Sequence, residues 1–228
     1  MIAIRDRPVF KPVGDTGLLL EFGNIIDPAL FDRILAIDAA LAADPPPGML
    51  ETVPAYVSLL VVYDPLVTDA VALEAGVLQR AGRSGIVAPA ATEHIIPICH
   101  DEDFAPDLAE AATTLGLAPA ALIAAHLGAE YRVYMYGFAP GYAYMDGVPE
   151  GLHLPRKAVP VRSRPVGSVM IAGGQCLITT LPMPTGWWVI GRTSTQVLRA
   201  HGASPFLFAP GDRVRFRSVS RAEFETAA

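Results

Sequence analysis

The sequence predicts an α+β protein in two parts. A small α+β unit comes first, and a mostly β unit follows whose strands close, or nearly close, into a barrel. Three observations carry this. Strand-like and helix-like apolar patterns alternate over residues 14–82. A small-residue stretch, RSGIVAPAAT at 83–92, then interrupts them. Beyond residue 130 almost every segment is a short β run bounded by turn residues.

The elements follow in order. GDTGLLLEFG (14–23) reads as a strand opened by a turn at Gly14–Asp15. Asp27 followed by Pro28 starts a helix: a capping carboxylate, then proline in the first turn. Leu30, Ile34, Ile37 and Leu41 form its apolar stripe, and DPPPG (44–48) ends it. AYVSLLVVYDP (55–65) is a strand stopped by Pro65, and a second helix covers about 69–82. These place the first domain at 1–85 and the second at 93–228. HIIPICHDEDF opens the second unit; DLAEAATTLGL is a helix with Asp107 near its start and Gly116 at its C-terminal cap. Pro119 opens a short helix ending near His126. Six strands follow: YRVYMYGF, GSVMIAG, QCLITTL, WWVIGRT, STQVLRA and DRVRFRSV.

Composition narrows the function. Of 228 residues, 52% are hydrophobic and only 18% charged, so the chain buries a large core and is expected to give some surface to a partner. A net charge of -6 argues against a nucleic-acid binder, which would need a basic face. No apolar run reaches the roughly 18 to 20 residues of a membrane span, and MIAIRDRPVFKPVG has no apolar signal core, so a soluble, cytoplasmic protein is expected. Cys99 and Cys176 each sit in an apolar strand-like run and read as buried thiols rather than a disulfide.

Most catalytic patterns are missing. The five histidines, His94, His100, His126, His153 and His201, show no ligand spacing with one another or with cysteine, so no metal is predicted. Cys176 in GGQC has no base beside it in sequence, and Ser168 in PVGSVMIAG lacks nucleophile-elbow spacing. Neither a phosphate loop nor a dinucleotide fingerprint is present. HDEDF (100–104) reads as a solvated acidic loop. What remains is the density of glycine, proline, aromatic and arginine residues in Tyr131–Thr193, which reads as a shaped concave surface. Arg192 stands out in VIGRT, beside a glycine on a half-buried strand, where an arginine is expected to meet a carboxylate of protein or ligand.

Within that stretch GFAPGYAYMDGVP, LPRKAVP, VGSVMIAGGQ and TGWWVIGRT, in this order, resemble the allophanate hydrolase subunit 1 family. This is also the KipI or carboxyltransferase-domain (subdomain C/D) family, and it includes the B component of bacterial ATP-dependent 5-oxoprolinase. PVGDTGLLLEFG, VPAYVSLLVVYDP, HLGAEYRVYM and APGDRVRF extend the resemblance over nearly the whole chain. Departures fall at Val161–Arg162, where an arginine stands one place later than the family pattern, and at Met183-Pro184-Thr185-Gly186-Trp187.

The resemblance implies a cyclophilin-like β-barrel as the second domain. It implies a subunit of a hetero-oligomeric amide or lactam hydrolase that shares its active site with a subunit 2 partner, similar to KipA or to the C component of 5-oxoprolinase, together with a third, LamB/YcsF-type subunit. ATP would serve at the level of the complex. On this reading Arg192 and Arg156 hold an anion and are the catalytic candidates. Phe138, Tyr142, Tyr144 and Trp187 line the pocket, and Gln175 and Thr193 orient polar atoms. Gly137, Pro140 and Gly141 shape its turn. Two other expectations are a KipI-like inhibitor of a histidine kinase, which needs no catalytic groups, and a peptidyl-prolyl isomerase, which rests on the barrel alone.

Overall fold

The computed structural model describes residues 4–83, 85–199 and 204–227. The chain divides into two compact units, Met1–Ala90 and Ala91–Ala228.

The first unit is a four-stranded antiparallel sheet with two helices. Its strands are β1 (Val9–Val13), β2 (Gly17–Glu21), β3 (Met49–Ala55) and β4 (Ser58–Tyr63), in the order β1-β2-β4-β3. Helix α1 (Pro28–Ala43) begins as its sequence predicts, with the Asp27 carboxylate accepting from the Leu30 N–H at 2.7 Å. Leu30, Phe31, Ile34, Ile37 and Leu41 are buried along it. Helix α2 (Ala70–Ala81) is capped by Asp69 and buries Leu73 and Val77. The sequence pattern reveals two of the four strands. β1 is mostly exposed and contains Pro12, so it carries no apolar alternation. β3 does not separate from β4 by pattern; Tyr56, at φ 39°, turns the run AYVS back on itself and divides them.

The second unit is the barrel. Its strands are β5 (Glu93–Ile98), β6 (Tyr131–Tyr136), β7 (Ala143–Asp146), β8 (Val161–Arg164), β9 (Ser168–Ala172), β10 (Gln175–Ile178), β11 (Met183–Thr185), β12 (Trp188–Arg192) and β13 (Arg213–Ser218). Seven of these form one sheet, β12-β9-β10-β7-β6-β13-β5, antiparallel except for the parallel pair β13–β5. The two edges then meet. Cys99, just past β5, bridges Arg192 at the end of β12 through N–H···O bonds of 2.8 and 2.9 Å. This bridge nearly closes the sheet and covers part of the edges that an open sheet would expose. β8 and β11 pair as a separate ribbon.

Helices α3 (Leu108–Leu115) and α4 (Pro119–Leu127) add Leu108, Ala111, Ala112 and Leu122 to the barrel core. No single helix among the described residues is long and apolar enough to cross a membrane. A short helix α5 (Arg221–Ala227), unpredicted, buries Phe224 against Cys99 and Val219. One predicted strand is not formed: residues 194–199 of STQVLRA run irregularly, with a single bridge from Leu198 to Phe206. Its short apolar pattern is satisfied by burial of Val197 alone, without a ladder. Ala200 and His201 lie outside the described residues.

Candidate functional site

The strands around β9 are apolar on both faces, and this builds the site. Side chains alternate across a strand. Val169 and Ile171 of β9, Cys176 and Ile178 of β10, Trp188 and Ile190 of β12, and Met145 of β7 point into the barrel core. Their neighbours Met170, Ala172, Leu177 and Val189 point the other way. With Tyr142, Tyr144 and Trp187 they form a second apolar layer on the outer wall. The pair Trp187–Trp188 is thereby split, one ring outside and one inside.

That layer floors a cleft of about 120 Å³. Phe138, Tyr142, Tyr144, Arg156, Thr185 and Trp187 are among its walls. Of the sequence-predicted residues, the structure therefore brings Phe138, Tyr142, Tyr144, Trp187 and Arg156 to one place. Phe138 sits at φ 69°, a conformation that costs a bulky side chain about 1–3 kcal/mol, and is 75% exposed with its ring edge-on to Tyr142 at 5.8 Å. Tyr144 meets Trp187 edge to face at 6.0 Å. Burial, with Tyr144 nearby, pushes the Tyr142 phenol up to about 12, so its hydroxyl stays protonated at neutral pH.

Arg156 is the cation of the cleft. Its guanidinium stands 5.7 Å from the Trp187 ring, and no carboxylate pairs with it among the described residues. Its backbone is pinned on both sides. The Gly173 N–H donates to the Leu154 carbonyl at 2.7 Å, the Trp188 indole N–H to the Pro155 carbonyl at 2.8 Å, and the Lys157 N–H to the Gly186 carbonyl at 2.7 Å. A guanidinium over an aromatic face at the rim of a cleft is placed to receive an anion. Arg156 also lines an adjoining groove of about 380 Å³, which contains Gln175 and His153.

The other predicted residues lie elsewhere. Arg192 does not line either cavity. Its Nε donates to the Val166 carbonyl at 3.0 Å, and its guanidinium lies about 6 Å from both the Phe104 and Phe224 rings (6.0 and 5.8 Å). Apolar faces and a carbonyl, rather than a carboxylate, receive it. Thr193 is buried; its hydroxyl accepts from the Thr195 N–H at 3.0 Å. Cys99 and Cys176 are free, buried thiols, and burial pushes both upward, away from a nucleophilic thiolate.

Sequence reasoning missed a buried ionic hub beneath the site. Asp107, with a side chain only 5% exposed, stands where a cap would, but makes no capping bond. One carboxylate oxygen accepts from Lys157 Nζ and Arg164 Nη2, both at 2.7 Å, and the other from the Val189 N–H at 2.9 Å. Lys157 also lies 4.5 Å over the Trp188 ring. The hub ties α3, the segment carrying Arg156, the ribbon and β12 together. Only the sequence offset between 107 and 157–164 concealed it, since an acidic residue before a helix reads first as a cap. Arg162, which departs from the family pattern, is exposed and outside the hub; Ser163, at φ 52°, breaks the alternation of β8 between it and Arg164.

A roomier cleft, about 490 Å³, lies in the first unit beside α1 and α2. Its Arg33 donates to the Asp6 carbonyl and stands 5.1 Å over Phe22, and Arg7 and Glu74 also line it.

The second unit is thus a nearly closed barrel with an aromatic cleft on its outer wall and Arg156 at the rim. Comparison with known proteins bears on this directly: the family model "Carboxyltransferase domain, subdomain C and D" matches residues 8–208, and the chain belongs to that family. It is 32% identical over 229 residues to the B component of 5-oxoprolinase from Bacillus subtilis, covering 96% of this chain and 95% of that protein. A solved structure of TTHA0988 is 37% identical with a TM-score of 0.78, over 89% of this chain. This chain spans only 39% of that longer one. The Kluyveromyces lactis urea carboxylase, at 17% identity and a TM-score of 0.73, shares the fold over 99% of this chain and 23% of its own.

Proposed function

We propose that the chain is one subunit of a hetero-oligomeric, ATP-dependent hydrolase of a small amide or lactam, of the 5-oxoprolinase type, acting in the cytoplasm. The observation that carries this reading is Arg156: a cation over the Trp187 ring without a carboxylate partner among the described residues, at the rim of an aromatic cleft that suits a small, flat, carboxylate-bearing ring. Arg156 takes the substrate carboxylate, while Trp187, Tyr142 and Tyr144 pack the ring. Relatives named as the B component of 5-oxoprolinase support the same substrate class.

The site is shared with a subunit 2 protein, similar to KipA or to the C component of 5-oxoprolinase. Support comes from the two thiols, both buried and raised, neither of which lines the cleft. It comes also from the longer related chain, in which the matching region is joined to further sequence. A third, LamB/YcsF-type subunit completes the enzyme, and ATP binds at the level of the complex.

The test is release of glutamate from 5-oxoproline with ATP, measured for this chain alone, with subunit 2, and with both partners. The chain alone is expected to be inactive and the full complex active. A folded, full complex with no turnover rules out the oxoprolinase reading.

A further inference from the structure

We propose that His153 is the proton carrier of this site, its Nδ1 taking a proton from the attacking water and returning it to the leaving amide nitrogen. This rests on the amide-hydrolase reading above and supplies the base that the sequence did not reveal.

Placement comes first. His153 lies three residues before Arg156, and the two line the same groove with Gln175. A carboxylate held by Arg156 would thus lie between the aromatic cleft, which takes the ring, and the groove that His153 lines.

The tautomer is fixed by one contact. His153 Nε2 lies 2.9 Å from the Val148 carbonyl oxygen. A carbonyl only accepts, so Nε2 carries the hydrogen and, in the neutral ring, Nδ1 carries the lone pair. No described residue hydrogen-bonds Nδ1. A base whose Nε2 donates to a fixed carbonyl, on a side chain that lines the groove beside Arg156, suits general-base chemistry.

A carboxylate stands beside the ring. A side chain starting at Gly174 would begin 3.3 Å from Asp146 Oδ1 and 3.4 Å from His153 Nε2, so the two groups face one small gap that glycine leaves open. Asp146 is half-buried, which raises its carboxyl, while an imidazolium at His153 and the Gly147 N–H lower it. Asp146 therefore acts as a positioning residue that steadies the charged ring. Two other charged groups stand by the pair: Arg132, the β6 partner of Asp146, and Arg156 in the same groove as His153.

The step balances. Water oxygen bonds to the amide carbonyl carbon as one O–H bond breaks, and that proton goes to Nδ1. The imidazolium then gives it to the amide nitrogen as the C–N bond breaks. A carboxylic acid and an amine form, and neutral His153 is restored.

The experiment uses the reconstituted complex, 5-oxoproline and ATP. His153→Gln is expected to assemble normally, keep KM within about threefold, lower kcat by roughly 10²-fold or more, and lose the acid-side inflection of kcat/KM. Imidazole in the buffer should restore part of the activity of His153→Gly. Asp146→Asn should lower kcat less. If His153→Gln changes only KM, or keeps the wild-type rate and pH profile while Arg156→Ala raises KM, the amide-hydrolase reading stands and His153 is not the proton carrier. A wild-type complex with no turnover removes both. A direct reading is available on the chain itself: long-range ¹⁵N NMR should show neutral His153 protonated at Nε2, and the opposite tautomer overturns the assignment.

Discussion

Arg156 and Arg192 look alike in sequence, each beside proline or glycine in an aromatic-rich run, and the structure gives them different surroundings. Arg156 has an aromatic face and no carboxylate; Arg192 has a carbonyl and two phenyl rings at the barrel seam. Arg156→Ala is expected to leave the fold intact, because the side chain is exposed, and to raise KM for 5-oxoproline roughly 10- to 100-fold. That matches the loss of a charged hydrogen-bond pair of about 1.5–3 kcal/mol. Arg192→Ala should destabilise the chain by about 1–2 kcal/mol through lost stacking and one hydrogen bond, read by urea unfolding. A loss of turnover beyond the loss of folded protein would return Arg192 to the site.

At the same scale, two core histidines make stability pH-dependent. Burial lowers His100 to about 4 and His126 to about 3, so both stay neutral in the folded barrel. The unfolded chain takes up their protons first as pH falls below about 6.5. Stability is therefore complete above that pH and declines from there toward pH 4, by up to about 1.4 kcal/mol per pH unit for each histidine. Urea unfolding at pH 5 should give a free energy at least ~2 kcal/mol below that at pH 7.5. His126→Met should remove about half of the slope.

Among elements, β9, β10 and β12 show what a continuous apolar run means. The sequence GSVMIAG shows no alternation, because both faces are covered, one by the barrel core and one by the outer aromatic layer. The turn before β9 tolerates only glycine. At Gly167, φ is 81° and an added Cβ would lie 2.2 Å from the Thr193 carbonyl oxygen, whereas at Gly173, φ 54°, a Cβ meets nothing within 4 Å. Gly167→Ala is expected to prevent folding, and Gly173→Ala to cost about 1 kcal/mol, measured by soluble yield and thermal melting. The Asp107 hub belongs to this scale as well, since it joins four elements. Asp107→Asn leaves Arg164 buried without a carboxylate and Lys157 with only the exposed Glu110 at 3.3 Å, and should destabilise by about 3 kcal/mol in denaturant unfolding.

For the whole molecule, the organisation was largely legible in the chain. Helix α1 announced itself through Asp27, Pro28 and a 3.6-residue stripe, because capping and amphipathicity are local. The aromatic cleft was legible residue by residue through Phe138, Tyr142, Tyr144, Arg156 and Trp187, because they crowd into one stretch of sequence. The exposed strand β1, the β8–β11 ribbon and helix α5 were not, since short, polar or edge elements take their form from neighbours. What the sequence by itself determined is the α+β class, the caps, the small-residue stretch at 83–92 and the set of residues that could bind. Only the tertiary structure decided how they combine. The Cys99–Arg192 seam, the split of Trp187 from Trp188 and the Asp107 hub all join distant positions or depend on which face a strand buries. Local periodicity cannot carry that information, because closure and packing are fixed only when the whole sheet forms.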